Sequence, residues 1–216
     1  MNTDDLKWFI NVTLRDKTDP YLGPIRRKKL KGTDFTIISN NCWGGHAYRW
    51  YDLPYQSPTI GLYFWADDYI RFVSDLKRYT ISCLDFIPAE QSRHFESLKK
   101  LNQLNVPIGL IDDVEIVFLH YKSESEAREK WNRRCERINW DHILVKNSYM
   151  NECTDKIMKD YLSLDYKCKL FFVGRDIKAR DTVVYKGTNN SINVDEDTIY
   201  FNRFFDLTSW INKSFE

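Results

Sequence analysis

The sequence predicts an α/β fold: a largely parallel or mixed sheet with helices on both faces and a small C-terminal β appendage. Two observations carry this expectation. From residue 35 onward, short apolar runs alternate with stretches of helical periodicity, and between 114 and 173 the order is strand, helix, strand, helix, strand. Consecutive units of that kind build parallel sheets with right-handed connections. No internal repeat or low-complexity linker divides the 216 residues. A single domain over 1–216 is therefore expected, or one pinched near residue 105 into lobes of about 1–105 and 106–216.

Taken in order, the first 31 residues read as an amphipathic helix interrupted at Asp19-Pro20 and Gly23-Pro24, ending in the basic run IRRKKLK at 25–31. Apolar runs predict strands at 35–38, 59–64, 84–87, 108–111, 114–121, 143–145 and 170–173. Helical spacing predicts helices over 67–79 behind an Asp67 cap, 92–104, 124–138 and 155–163. Ser123-x-x-Glu126 is a capping box for the third of these, and Thr154 caps the fourth. In the tail, TVVY and TIYF flank a polar stretch and suggest a hairpin, followed by a short helix around 207–211.

Composition narrows the class. Hydrophobic residues at 43% and charged residues at 29% describe a globular chain that buries a core, not a disordered one. The net charge of +1 supplies no global field toward nucleic acid, so no nucleic-acid partner is expected. Cys42, Cys83, Cys135, Cys153 and Cys168 are odd in number and form no C-x-x-C pair. That argues against a disulfide framework or structural zinc and for reduced thiols in a cytoplasmic protein. The charged N-terminus lacks the apolar core of a signal peptide, and no run approaches the roughly 20 apolar residues of a membrane span. Peripheral contact with the inner membrane surface is the partner the basic run at 25–31 allows, against the plainer reading of a solvated helix end.

The candidate chemistry begins with SNNCWGG, residues 39–45, where an apolar strand stops. Loops after the carboxyl ends of parallel strands are where ligands bind in such folds. Asn40 and Asn41 offer uncharged donors and acceptors, and Gly44 and Gly45 are expected to let the backbone turn through positive φ. Cys42 is a candidate nucleophile if a base lowers its pKa, and otherwise a small buried side chain. The stretch is neither G-x-G-x-x-G nor a P-loop, so neither nucleotide motif applies and the cofactor is unknown. His120, at the end of a predicted strand, is a candidate general base, with His46 a weaker one. Trp65 and Asp68 lie at another strand-to-helix junction and are placed on the same rim, as a stacking platform and a polar contact. Lys130, Arg133, Arg134 and Arg137 make a basic stripe, of which Arg134, beside Trp131, is nearest the core and best suited to an anion. Asp112-Asp113-Val114-Glu115 lacks the D-x-D spacing of diphosphate-bound metal sites, and no metal site is assigned.

Three blocks, SNNCWGG, SPTIGLYF at 57–64 and FLHYKSESEAREKWNRRCERIN at 118–139, resemble a bacterial family labelled exopolysaccharide or capsular polysaccharide biosynthesis proteins, which carry a domain of unknown function. The resemblance spans about residues 25 to 173. It implies a place in surface-polysaccharide pathways beside glycosyltransferases, and brings no catalytic residues with it. The expected activity is a transferase acting on activated or lipid-linked sugars, with a sugar or sugar-nucleotide substrate and a glycosyltransferase as partner. The alternatives are a cysteine-dependent acyltransferase or hydrolase built on Cys42 and His120, and a noncatalytic carbohydrate-binding assembly protein.

Overall fold

The computed structural model describes residues 3–186, 191–198 and 200–216, with side chains from residue 12 onward. Its main sheet has four parallel strands in the order β1 (Thr36–Ser39), β5 (Ile143–Ser148), β6 (Cys168–Val173) and β7 (Thr182–Val184). The register pairs Ile37 with Leu144, Lys146 with Leu170 and Phe172 with Val183. A second sheet of three antiparallel strands, β2 (Asp85–Ile87), β3 (Ile108–Ile111) and β4 (Val114–Val117), is inserted between β1 and β5. The α/β class is therefore observed. The segment 114–173 is not one run of parallel units, however, because β4 belongs to the antiparallel sheet. Asp112-Asp113 closes a two-residue hairpin turn there, with Asp112 at φ 52°, a conformation that aspartate tolerates.

Helices cover both faces of the main sheet. On one face α2 (Trp43–Trp50) and α8 (Leu207–Asn212) pack on Leu144, Leu170 and Phe172. On the other, α3 (Ala66–Ser74), α6 (Glu124–Cys135) and α7 (Asp155–Ser163) enclose Val145, Phe171 and Val173. That second cluster also takes in Ile111, Val114, Ile116 and Phe118, so one core joins the two sheets. The outer face of the small sheet packs on Leu98 of α5 (Phe95–Lys100) and on Tyr63 and Trp65.

Several boundaries depart from expectation for identifiable reasons. The helix α1 (Thr3–Arg27) runs through both Pro20 and Pro24. Contacts around the two prolines oppose the break: Arg26 pairs with Asp19 along the helix at 2.6 Å and lies 3.3 Å over the Trp50 ring of α2. The expected helix over 67–79 breaks at Asp75 into α3 and α4 (Leu76–Ile81), and Trp65, not Asp67, is the residue before its first turn. Residues 59–64 are not a strand. Gly61 at φ 78° turns the chain, leaving a single antiparallel bridge between Tyr63 and Val117. In the tail, β7 is the C-terminal β element and adds to the edge of the main sheet. Its expected hairpin partner, TIYF at 198–201, includes residue 199, which like 187–190 of the connecting stretch lies outside the described residues, and Tyr200 to Arg203 form turns. Among the described residues, no helix is long and apolar enough to cross a membrane.

Candidate functional site

Behind β1 the chain passes through Asn40, Asn41 and Cys42 into α2, at the carboxyl edge of the parallel sheet. Two compartments open there. One, of about 390 Å³, is lined by Arg49, Tyr55, Tyr121, Lys130 and Arg134. The other, of about 340 Å³, is lined by Asn41, Tyr63, Gln103, Asn151 and Glu196. Cys42, His46 and His120 line both, so they form the seam of a single cleft with a cationic half and a half rich in amides. Sequence reasoning placed Cys42 and His120 on a shared rim, and the cleft brings them together by a different route. The loop at 60–61 and the turn after β4 are tied by the His120 amide, which donates to the Gly61 carbonyl at 3.0 Å.

In the cationic half, Arg134 is buried, and its Nη1 donates to the Ile60 carbonyl at 3.1 Å and the Tyr121 hydroxyl at 2.6 Å. Among the described residues it has no carboxylate within ion-pair distance. Its stripe neighbours differ: Lys130 and Arg133 pair with Glu126 and Glu129 one helical turn back, as the spacing predicts. Arg49 donates to Asp16 at 2.9 Å and to His46 Nδ1 at 2.7 Å. Burial, then the positive Arg49, pushes His46 down to about 3. Its Nδ1 lone pair is occupied, so His46 cannot serve as the base. His120 is exposed in the seam, and desolvation in the cleft followed by Arg49 lowers its pKa below 6.5, so its imidazole is neutral and able to take a proton at neutral pH.

The floor beneath the seam is a buried polar network that sequence reasoning missed. Lys146 of β5 is fully buried, and its ammonium donates to Asn40 Oδ1 and Asn41 Oδ1, both at 3.1 Å, and to Asp197. Asp197, also fully buried, accepts from Ser148 and from Asn41 Nδ2 at 2.8 Å. Burial pushes the Lys146 pKa down and Asp197 opposes it. A charge in a low-dielectric interior needs such partners. The signal lies in ILVKNS: the strand runs past the apolar triplet 143–145 and carries its lysine into the buried sheet. Asn40 is thus a structural acceptor in the floor, whereas Asn41 also faces the amide half of the cleft.

Gly44 and Gly45 are helical and not in a positive-φ turn, which corrects that expectation. A Cβ at Gly44 would sit 2.9 Å from Ser39 Oγ, so glycine here lets α2 start tight against β1, while Gly45 lines the cationic compartment. The Cys42 thiol is pushed up to about 12, chiefly by burial and then by Asp197 and Glu196, the reverse of what activation requires.

Trp65 and Asp68 do not line the cleft. Trp65 is buried and stacks on His94, with ring centroids 4.9 Å apart. Asp68 is fully buried and anchors α3 to the small sheet, accepting from Arg71, Arg93, His94 and the Glu115 amide. Asp67, Asp68 and His94 have ligand atoms within 4.8 Å of one another, but two arginines already hold Asp67 and Asp68. Asp112 pairs with Arg78, Asp113 accepts from Tyr79, and Glu115 is buried against Ser92 and Arg93. These carboxylates therefore brace the hairpin.

Comparison with known proteins adds two findings. The model of a family described as "Domain of unknown function (DUF1919)" matches residues 15–212. An "Uncharacterized protein" of Haemophilus influenzae is 27% identical over 210 residues, covering 97% of this chain and 86% of that protein.

Proposed function

Because the chain belongs to the DUF1919 family, whose description assigns no reaction, we propose from the cleft itself that it is a transferase of surface-polysaccharide assembly that takes an activated sugar by its diphosphate. One observation carries this reading: Arg134 is buried, faces no carboxylate among the described residues, and shares a compartment with Lys130 and Arg49. A guanidinium held in place by a carbonyl and a phenol presents its remaining N–H groups as a fixed fork for phosphate oxygens. Tyr55, with Arg134 stacked 5.3 Å over its ring, gives the same compartment an aromatic wall. The amide half, with Asn41, Gln103 and Asn151, offers the neutral donors and acceptors that hydroxyl-rich sugars need.

In this reading the nucleoside diphosphate rests in the cationic half and the acceptor enters the amide half. His120, neutral and at the seam, takes the proton of the acceptor hydroxyl as that oxygen bonds to the transferred group. The diphosphate leaves with the bonding electron pair and is stabilised by Arg134 and Lys130. The raised pKa of Cys42 disfavours the acyl-enzyme alternative, and the burial of Trp65 removes the platform on which a carbohydrate-binding module would rely.

The test is titration calorimetry with a panel of nucleoside-diphosphate sugars and with inorganic pyrophosphate. Arg134→Met should weaken diphosphate binding by about 10- to 100-fold, the range of a hydrogen bond to a charged group. His120→Gln should leave binding intact and remove turnover. Failure of every panel member to bind at millimolar concentration, or unchanged affinity in Arg134→Met, would falsify the reading.

A further inference from the structure

The outer face of α1 has a composition that the cleft does not use. Leu14, Tyr21, Leu22 and Ile25 are 56%, 79%, 42% and 60% exposed, an unusual concentration of bare apolar side chains on one helix. At about 100° per residue, Leu14, Tyr21 and Ile25 fall within about 40° of one another around the axis, with Leu22 at their flank. The charges are sorted as sharply. Asp19 is buried against Arg26, and Asp16 pairs with Arg49 of α2. Lys17 on α1, and Lys28 and Lys29 in the turn that follows it, are exposed and have no carboxylate in ion-pair contact among the described residues. The rest of the basic run is committed elsewhere: Arg26 to Asp19, Arg27 to Asp52 and Lys31 to Glu216.

We infer that this face of α1 is a docking surface for an anionic lipid bilayer, on which the helix lies in the plane of the headgroups. Among the described residues, an apolar stripe accompanied by unpaired lysines matches a surface that is apolar below and negative above, and long lysine side chains can reach phosphates while the stripe inserts. The helix does not span: no described helix is long and apolar enough for that. The same helix contributes Val12 to the cationic compartment, so docking would hold the cleft close to the bilayer. The inference does not depend on the transferase reading, since it concerns binding and not turnover.

Cosedimentation of the full chain with phosphatidylcholine vesicles, neutral or containing roughly one third phosphatidylglycerol, tests it. Binding is expected to the anionic vesicles and to weaken with salt. At about fivefold per lysine, Lys17→Gln/Lys28→Gln/Lys29→Gln should weaken it on the order of a hundredfold. Leu14→Ser/Tyr21→Ser/Ile25→Ser should weaken it by about tenfold or more, with an unchanged circular dichroism spectrum. Ile81→Ser, an 85% exposed apolar residue on α4, should have no effect. Absence of binding to anionic vesicles would overturn the inference, as would equal losses from Ile81→Ser. A dimer in sedimentation velocity that Tyr21→Ser dissolves, without vesicle binding by the wild-type chain, would assign the face to a second copy instead.

Discussion

His46 gives the cleft a measurable pH signature. Its imidazole is wedged in α2 with Nδ1 accepting from Arg49, and protonation would put a second positive charge against the first. The folded-state value of about 3 lies below the ordinary 6.5, so between these values the unfolded chain binds the proton and the native chain does not. Stability therefore rises with pH across this window and is lost as pH falls from 6.5 toward 3. Between about pH 7 and about pH 5 the loss from this one group should reach up to about 2 kcal/mol. Urea unfolding at both pH values checks it: His46→Gln, which keeps an acceptor for Arg49, should flatten the dependence by that amount. Equal slopes in the two proteins would mean that His46 titrates in the native state as it does in the unfolded chain.

At the scale of elements, the junction of β1 and α2 is set by atomic contact at a single residue. Gly44 and Gly45 have the same intrinsic preference, and replacing either with alanine favours a helix by about 1 kcal/mol. Their surroundings differ. A Cβ at Gly44 meets Ser39 Oγ at 2.9 Å, and that hydroxyl already donates to the Asn41 carbonyl and accepts from the Gly44 amide. A Cβ at Gly45 meets only Ile60 Cγ2, at an ordinary 3.5 Å. Gly44→Ala should thus destabilise by about 1–3 kcal/mol through overpacking. Gly45→Ala should be neutral or stabilise by up to about 1 kcal/mol. Thermal melts of the two variants decide the matter, and identical shifts would show that helix propensity alone governs the position.

Across the whole molecule, Phe118 ties the two sheets together. It is fully buried, contacts Phe86, Tyr121 and Trp131, and belongs to the core that also contains Val145 and Phe171 of the main sheet. Phe118→Ala should cost about 3–5 kcal/mol. Because the core is shared, fluorescence and far-ultraviolet circular dichroism should report one coincident transition, shifted together. Separate midpoints would show that the sheets unfold as independent units.

The α/β class, the exact span of β3, the α7 helix and the paired face of α6 were legible in the sequence because each depends on local periodicity or capping. Ser123 accepts from the Glu126 amide and Thr154 from the Ile157 amide, as the capping signals predict. The seam of Cys42 and His120 was legible in part, since both sit where apolar runs end. What tertiary structure alone decided were the partners at long range. Asp197 reaches Lys146 and Asn41 across 51 and 156 residues of chain, and Asp68 of α3 is taken by Arg93 and by the Glu115 amide of β4. Periodicity reports which side of an element is apolar. It carries no information about which buried charge meets which, because desolvation demands a partner without specifying where along the chain that partner lies.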